Sequence, residues 1–446
     1  DESIQAVSDL FAAHGSNAWY EKEAADILPE GFRCPHCGGV HFTKELDTLD
    51  GWFDSGSTHF AVLENTVKPE WGQQQWPADL YLEGADQYRG WFQSSLLTAV
   101  AAKGQGAPYK TVLTHGWVVD GEGKAMHKSL GNAGDPQQVI DQYGADILRM
   151  WVASSDYRVD VRISPEIFKQ LSQNYLKFRN TAKFCLDNLT DFDPNTLVAP
   201  ADMLALDKWA LTCLNALIAK VFTAYDNYEF HVVSHAVNDF CVVELSSFYF
   251  DIIKDRLYCD GAESLSRRSA QTALYLILDA MTRMFAPILA FTCDEIWLAM
   301  PHRTGDDERN VLLNEMVQPY TQYALSPEEM ARWDRIAAVR TAVNGALEQA
   351  RADKTIGKSL EAEVDLTVPA EDAFLSQMEE GALADLLIVS QVRVETGDSL
   401  SVTVRPAAGT KCQRCWKMLT SVGTVAGHED LCPRCAALVK SLPVVE

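Results

Sequence analysis

Four cysteines near the carboxyl end constrain the fold of this chain more tightly than any other feature. They follow the spacing Cys412-x2-Cys415-x16-Cys432-x2-Cys435. Two Cys-x-x-Cys pairs at this separation form two tight turns that supply four thiolates to one tetrahedral metal ion and leave no open coordination position. The spacing therefore predicts one structural Zn²⁺ site, with residues 406–446 folded around it as a module.

The other cysteines give weaker signals. Cys34 and Cys37 form a further Cys-x-x-Cys pair, which amounts to half of a site. Its partners could lie upstream of Asp1, or His36 or His41 could assist it, and an unmetallated pair fits equally well. This pair therefore stays outside the predicted metal sites. The remaining cysteines lie in apolar helical patterns and are interpreted as inert core thiols: Cys185, Cys213, Cys241, Cys259 and Cys293. Paired cysteines of the metal-binding kind indicate a reducing compartment, so we expect a cytoplasmic protein.

Length and charge limit the classes of function. A chain of 446 residues predicts several domains rather than one core. The longest apolar candidate, residues 274–300, is interrupted by charged residues, so no membrane partner is expected. The formal net charge of −24 argues against broad binding of nucleic acid, because phosphates attract positive charge. Between Arg405 and Glu446, however, six cations face three anions, which points to a local RNA contact in this tail.

Hydrophobic periodicity divides the rest of the chain. Over 46–165, strand-like runs alternate with helical ones, which predicts an α/β architecture with a parallel sheet. The strand-like runs are 80–82, 111–113 and 117–119, and the helical ones are 88–102 and 136–143. Ser164 followed by Pro165 predicts a capped helix start, and beyond it apolar residues recur every three or four positions to about residue 330, as in a helical bundle.

Residues 331–405 have a different pattern. They include most of a long predicted helix over 327–352 and then three strand-like runs, at 362–366, 387–395 and 400–405. This order predicts a small α+β module.

A loop at residues 124–132 is the segment whose sequence indicates a reaction with ATP. Its sequence, Lys-Ala-Met-His-Lys-Ser-Leu-Gly-Asn, follows a strand-like run and an Asp-Gly-Glu-Gly turn. When ATP activates an acid, charge builds up on the departing pyrophosphate, and a lysine aimed at those oxygens stabilises it. A Gly- and Lys-rich surface turn is the alternative and, for these nine residues alone, explains them equally well.

A second group of candidates follows the strand-like run 80–82. Gly84 permits close approach of a ligand to the backbone, and Glu83 and Gln87 can pair with an ammonium group or a ribose hydroxyl. Asp86 could instead cap the following helix. From the residues alone, Trp52 and Trp91 are better explained by core packing than by ligand contact.

The loop, together with residues 144–146 and 152–164, resembles class I aminoacyl-tRNA synthetases, and nearly the whole chain is similar to the bacterial isoleucine enzymes among them. Residues 125–129 align with the family's Lys-Met-Ser-Lys-Ser signature. The resemblance implies that Lys128 stabilises the triphosphate of ATP, with Ser129 beside it. Ala125 replaces the first lysine and His127 the first serine; Lys124 is the candidate substitute for that lysine.

The resemblance also implies the ligands and partners. Isoleucine and ATP, with Mg²⁺, are the expected substrates, tRNA(Ile) is the expected partner, and a monomer is expected. The residues implied to bind the isoleucyl-adenylate are Glu83, Gly84, Asp86 and Gln87, with Trp52 and Trp91 walling the aliphatic side chain. The zinc module is implied to dock tRNA, with Arg414 and Trp416 as candidate contacts.

The expected fold is therefore multidomain. In chain order we expect the end of an inserted editing or connective region (1–45), the carboxyl-terminal half of a partial Rossmann-like α/β catalytic domain (46–165), an all-α anticodon-binding bundle (166–330), a small α+β junction module (331–405) and a zinc-binding, tRNA-contacting module (406–446). Because the sequence contains no His-x-Gly-His element, we expect a carboxyl-terminal fragment that is inactive by itself. The alternatives are a noncatalytic zinc-containing RNA-binding relative and a valine- or leucine-specific enzyme.

Overall fold

The computed structural model describes residues 1–64, 74–104, 106–126 and 134–442. They belong to two compact units, an amino-terminal unit of residues 1–116 and a carboxyl-terminal unit of residues 117–446. None of the described helices combines the length and the apolar character needed to cross a lipid bilayer.

The amino-terminal unit contains a parallel strand pair joined by a helix. Its elements are α1 (Glu2–His14), α2 (Ala18–Glu21), α3 (Ala24–Ile27), α4 (Gly51–Gly56), a π-helical turn (His59–Leu63), β1 (Ala78–Gly84), a 3₁₀ turn (Ala85–Arg89), α5 (Trp91–Lys103) and β2 (Tyr109–His115). The two strands are parallel and in register, with Gly84 opposite His115, so both end at the same edge. The predicted helix 88–102 begins later than expected, because Gly90 (φ −113°, ψ −113°) separates the 3₁₀ turn from α5.

The carboxyl-terminal unit begins with a second parallel pair and continues into a bundle. Its elements are β3 (Val118–Val119), α6 (Pro136–Tyr143), α7 (Ala145–Ser154), β4 (Val161–Arg162), α8 (Pro165–Asp187), α9 (Ala205–Asp226), α10 (Phe230–Asp239), a π-helical segment (Phe240–Tyr249), α11 (Phe250–Cys259), α12 (Leu265–Phe285) and α13 (Ala290–Ala299). The predicted start of α8 is confirmed: the Ser164 hydroxyl accepts from the backbone N–H of Ile167 at 3.4 Å.

Helix α12 runs through the centre of the bundle. Every residue from Ser269 to Phe285 is buried, which a helix achieves only when neighbours surround it on all sides. The charge of Asp279 within this stretch is balanced, since its carboxylate accepts from Arg283 Nε and Arg303 Nη2, both at 2.7 Å. Buried charges are tolerated when they are paired in this way.

A second buried carboxylate ties three helices together. Asp207 of α9 is fully buried, and its oxygens accept from the Tyr249 hydroxyl at 2.7 Å and from Arg256 Nη1 at 3.0 Å. The hydroxyl of Ser269 in α12 also donates to this carboxylate. Burial, followed by the negative charge of Asp207, raises the pKa of Tyr249, so the phenol stays protonated and donates.

The chain ends in a small sheet and a cysteine-rich module. The elements are two 3₁₀ turns (Val311–Leu313 and Thr321–Tyr323), α14 (Pro327–Ala352), a 3₁₀ turn (Ser359–Glu361), β5 (Ala362–Val368), a 3₁₀ segment (Ala370–Gln377), α15 (Ala382–Leu387), β6 (Gln391–Thr396), β7 (Ser401–Pro406), β8 (Thr410–Lys411), β9 (Met418–Leu419) and α16 (Pro433–Ser441). The strand order is β6-β5-β7, parallel on one side and antiparallel on the other. The predicted strand 387–395 is wrong at its start, because α15 extends to Leu387 and Ile388 (φ 55°) ends it in the left-handed region.

The bundle and the small sheet share one hydrophobic core. A continuous cluster of buried side chains extends from Ile147 in α7 to Val389, two residues before β6. It includes Trp297 of α13, Val343 of α14 and Val364 of β5, all with no exposed surface. The residues that we predicted as two modules, 166–330 and 331–405, therefore pack as one body.

Candidate functional site

The carboxyl end of β1 carries the predicted polar candidates. Glu83 lies on the same face of the strand as Tyr81, because side chains two residues apart in a strand share a face. It is half-buried, and its carboxylate forms no hydrogen bond or ion pair with the described residues. Gly84 is buried; a Cβ added there would lie 2.5 Å from Asp86 Oδ1 and 3.5 Å from His115 Cε1. Only glycine therefore leaves this edge open.

Gln87 organises the turn that follows. Its side-chain oxygen accepts from the backbone N–H of Trp91 at 3.1 Å, and its amide nitrogen donates to Asp86 Oδ2 at 2.9 Å. The first N–H of α5 is thus satisfied by Gln87, and the suggestion that Asp86 caps this helix is wrong. Asp86 instead orients Gln87.

The two predicted tryptophans meet at Gly90. Trp91 stacks on Tyr81 with ring centroids 4.2 Å apart and planes 3° apart, and its indole N–H donates to the carbonyl of Ser55 at 2.9 Å. Trp52 is 45% exposed, and its ring lies so close to Gly90 that an added Cβ would approach Trp52 Cη2 to 2.8 Å. Trp52 is therefore an open surface rather than core packing. We call Trp52, Gly90 and Trp91 the tryptophan wall.

A buried histidine that the sequence analysis missed supports this wall. His59 is 1% exposed, its Nε2 lies 3.2 Å from the Thr98 hydroxyl, and its Nδ1 accepts from the indole N–H of Trp76 at 3.4 Å. Thr98 in turn donates to the carbonyl of Gly56 at 2.9 Å. Burial, assisted by the positive charge of Lys103, lowers the pKa of His59, so the ring stays neutral and connects the π-helical turn to α5.

No pattern in the sequence marked His59. It is a single polar residue between Thr58 and an apolar run, with no partner at a characteristic spacing. Its partners are 17 and 39 residues away in the chain, so the contact emerges only from the fold.

The signature loop is described only at its flanks. Asp120 accepts from the backbone N–H groups of Glu122 at 3.0 Å and Lys124 at 2.8 Å, which closes the turn before the loop. The Lys124 ammonium pairs with Glu122 at 2.7 Å on the surface. The predicted ATP-binding residues Lys128 and Ser129 lie outside the described residues, as does His127.

The four carboxyl-terminal cysteines converge as their spacing predicts. All are buried, and their sulfur atoms all lie within 4.8 Å of one another. The Sγ atoms of Cys415 and Cys432 are 3.9 Å apart, close to the roughly 3.8 Å that tetrahedral Zn–S bonds of about 2.3 Å require. Four thiolates with no other donor suit a closed structural zinc site.

The surrounding backbone favours thiolate at Cys412. Burial by itself would raise the pKa of this thiol, but backbone N–H groups of Cys415, Cys432 and Arg414 point at the sulfur and lower its pKa to about 6. The N–H of Cys432 lies 3.3 Å from it. These N–H groups therefore favour the thiolate form that a metal ligand requires.

Most cations of the tail bind carbonyl or carboxylate groups elsewhere in the same chain. The guanidinium of Arg414 donates to the carbonyls of Tyr258, at 3.1 Å, and Cys259, at the end of α11. Arg434 forms a paired contact with Asp255 at 2.6 and 2.8 Å. Lys417 pairs with Asp385 and Arg405 with Asp365. Arg414 uses both of its terminal nitrogens within the chain, and the RNA contact suggested for it stays a prediction.

The Cys34–Cys37 pair and the cations of α8 have different surroundings. Among the described residues, no third Cys, His or carboxylate joins Cys34 and Cys37 in a metal-binding cluster. On α8, Arg179 is held by Glu295 through bonds of 2.9 and 3.0 Å, whereas Lys177 is exposed and has no ion pair in the described parts of the chain.

Three family models match the chain. The model for "tRNA synthetases class I (I, L, M and V)" matches residues 1–164, that for "Anticodon-binding domain of tRNA ligase" matches residues 207–366, and that for "Zinc finger found in FPG and IleRS" matches residues 409–438. These matches, in this order, account for a multidomain fold with a class I synthetase portion, an anticodon-binding domain and a zinc finger.

Curated relatives extend the similarity along the chain. The isoleucine–tRNA ligase of Carboxydothermus hydrogenoformans is 52% identical over 99% of this chain and 48% of its own length. That of Syntrophotalea carbinolica is 50% identical over 97% of this chain and 47% of its own length. The chain thus spans about half the length of the curated relatives it matches.

A solved structure supports the fold. A complex of LeuRS, tRNA and LeuAMS from Agrobacterium radiobacter K84 superposes with a TM-score of 0.52 over 84% of this chain and 38% of that one, at 16% sequence identity. At this identity the likeness shows the shared fold alone.

Proposed function

Because the chain belongs to the class I tRNA synthetases and matches their isoleucine members, we propose that it is part of an isoleucine–tRNA ligase, which activates isoleucine with ATP and transfers it to tRNA(Ile). The observation that carries the proposal is the 52% identity to an isoleucine–tRNA ligase over 99% of the chain. In this proposal isoleucine, ATP with Mg²⁺, and tRNA are bound by a monomer.

The edge of β1 supplies an amino-acid pocket in this proposal. The exposed ring of Trp52 and the stacked ring of Trp91 give a rigid apolar surface suited to a branched aliphatic side chain. Glu83, whose carboxylate is not paired with the described residues, is placed to bind a positively charged ammonium group or a ribose hydroxyl. Gly84, Asp86 and Gln87 complete the polar side, with Asp86 acting through Gln87.

We expect Gly90→Ala to damage amino-acid binding. The new Cβ would lie 2.8 Å from Trp52 Cη2 and against the Gln87 oxygen, so the tryptophan wall must shift. The expected result is a KM for isoleucine about ten- to hundredfold higher in ATP–pyrophosphate exchange, with a nearly unchanged KM for ATP. Gly106→Ala is the matched control, because its Cβ meets nothing within 4 Å. An unaltered KM for isoleucine in the Gly90 variant would contradict the pocket.

Lys128 and Ser129 are proposed to hold the triphosphate of ATP. In Lys128→Ala we expect kcat for isoleucine-dependent exchange to fall by roughly 10²–10³, because a positive charge aimed at the developing pyrophosphate stabilises the transition state more than the ground state. Affinity for isoleucine should hardly change. Lys110→Ala removes an exposed lysine that pairs with Asp79 at 2.7 Å and should leave the rate within about twofold. Equal rates for both variants would exclude this role for Lys128.

The bundle and the zinc module are proposed to bind tRNA, with the zinc as a structural element. Trp416 is 54% exposed, and the ammonium groups of Lys358 and Lys411 lie 5.5 and 5.6 Å from the centre of its ring. An exposed aromatic ring between cations suits stacking with a nucleobase of a bound strand. This surface, rather than Arg414, is the proposed RNA contact of the module.

Isoleucine-dependent ATP–pyrophosphate exchange tests the proposal when it is measured on the full-length protein of which this chain is proposed to be a part, since residues 1–446 alone are expected to be inactive. We expect exchange with isoleucine, slower exchange with valine, which lacks one methylene, and none with unrelated amino acids. Charging of tRNA(Ile) transcript with labelled isoleucine tests the second step. A protein that binds tRNA and zinc but catalyses no exchange with any amino acid would overturn the assignment.

A further inference from the structure

A polar groove opens in the carboxyl-terminal unit where α7, α8 and α10 meet the segment 155–162. It encloses about 360 Å³, within the roughly 300–1,000 Å³ typical of ligand-binding pockets. None of its lining residues belongs to the tryptophan wall, the signature loop or the zinc module, so its chemistry is not explained by the sites described above.

The floor of the polar groove carries polar atoms without partners. Ser234 is 2% exposed, and among the described residues its hydroxyl has no hydrogen-bond partner. One turn further along α10, the side-chain oxygen of Asn238 is also buried and unpartnered within the same described set. A buried polar atom left without a partner is unfavourable, so these atoms are suited to a ligand that supplies one.

The walls add side chains that carry both hydrogen-bond donors and acceptors. Gln170 and Asn174 lie one turn apart on α8, and His235 lies beside Ser234 on α10. None of these three side chains forms a hydrogen bond with the part of the chain that the structure describes. An amide presents a donor and an acceptor side by side, which is the arrangement found on the edge of a nucleobase.

The charges at the rim leave one cation available. The carboxylate of Asp156 is held by Arg158 through two bonds of 2.8 and 3.0 Å, and Asp160 accepts from the backbone N–H of Trp117 at 2.8 Å. Arg162, also at the rim, forms no ion pair with a described residue. The polar groove therefore has a neutral hydrogen-bonding floor, and Arg162, whose guanidinium lies near Gly123, lines its edge.

We propose that the polar groove binds one ribonucleotide of the tRNA, with Arg162 at the phosphate and the floor groups at the base edge and the ribose 2′-hydroxyl. Phosphates are bound by cations, whereas unstacked bases and 2′-hydroxyls are bound by neutral donors and acceptors. This inference rests on the proposed function, since it takes tRNA as the partner. Free ATP also has a phosphate, a ribose and a base, and the test distinguishes binding of ATP from binding of tRNA.

The test measures binding of tRNA(Ile) transcript to the intact protein. We expect the double variant Asn174→Ala, Asn238→Ala to raise Kd about tenfold, as the loss of two hydrogen bonds predicts. Asn180→Ala removes an exposed asparagine on the same helix and should leave Kd within about twofold. Ser234→Ala removes one oxygen without leaving a large cavity and should weaken binding about threefold while the protein stays folded.

A chemical probe on the RNA identifies the contact. Transcripts with 2′-O-methyl groups at single positions should bind the wild-type protein more weakly at one nucleotide, and this interference should vanish in Ser234→Ala. An unchanged Kd in the double variant, an equal loss in Asn180→Ala, or interference that persists in Ser234→Ala would overturn the proposal. A higher KM for ATP with unchanged tRNA affinity would also overturn it, since the groove would then bind free nucleotide.

Failure of this proposal is distinguishable from failure of the proposed function. If wild-type protein catalyses isoleucine-dependent exchange and the groove variants bind tRNA normally, only the groove assignment is wrong. If the full-length wild-type protein catalyses no exchange, the ligase assignment is wrong, whatever the groove variants do.

Discussion

Cys412→Ser is expected to release the zinc and unfold residues 410–442 while the helical bundle stays folded. The module contains two strands of two residues each and one nine-residue helix. Its buried side chains, apart from the cysteines themselves, are few, namely Leu431 and Ala436 with Cys259 of the bundle. A core of this size cannot fold alone, and zinc binding of about 10–16 kcal/mol supplies the missing stability.

Zinc stoichiometry and hydrogen exchange check this result. The variant should contain less than one zinc per chain, and the amides of 410–442 should exchange at nearly the rate of an unfolded peptide. Cys213→Ala, at a half-buried thiol in α9 far from the metal ligands in sequence, should retain full zinc and normal protection. Full zinc content in Cys412→Ser would show that this sulfur is not a ligand.

Asp207→Ala should destabilise the bundle by about 3–5 kcal/mol, the range observed when one partner of a buried ion pair is removed. The substitution would leave the guanidinium of Arg256 buried without its anion, and the hydroxyls of Tyr249 and Ser269 without an acceptor. Desolvated donors of this kind are expensive, because water cannot replace the lost carboxylate. Urea unfolding followed by circular dichroism measures the change in free energy of unfolding.

Asp187→Ala is the matched control for this substitution. Asp187 also pairs with a cation, Lys183, at 2.9 Å, but both side chains are more than half exposed. An exposed pair of this kind contributes less than about 1 kcal/mol. Similar losses for the two variants, or a loss under 1 kcal/mol for Asp207→Ala, would mean that water reaches the Asp207 site.

Local signals in the sequence predicted the helix boundaries well. Ser326, Pro327 and Glu329 form a capping box with the proline in the first turn, and α14 begins and ends where the pattern indicated. The parallel strands β1 and β2 were also predicted, because apolar runs on either side of a helix have few other arrangements. The start of β6 was not, since the apolar run from residue 387 gives no sign that Ile388 turns the chain.

Long-range contacts limited the prediction of the sites. The spacing of the four cysteines predicts that their side chains converge, because one metal ion must bind all four. No such signal marks Arg414, because its acceptors are 155 and 156 residues away in the chain. This cation, which the composition suggested for RNA, binds the end of α11 in the structure. For Trp52 the residue alone favoured core packing, and only its exposure of 45% in the structure distinguished an open surface from a core.

The continuous cluster beneath α9, α12, α14 and β5 has a consequence for engineering. A chimera that exchanges the bundle between two relatives at residue 330 would sever that cluster and expose residues such as Val343 and Val364, which have no contact with solvent. The matched anticodon-binding region, 207–366, likewise ends inside β5. Grafts should therefore be joined after Pro406, where β7 ends, so that the transferred segment includes the whole hydrophobic core.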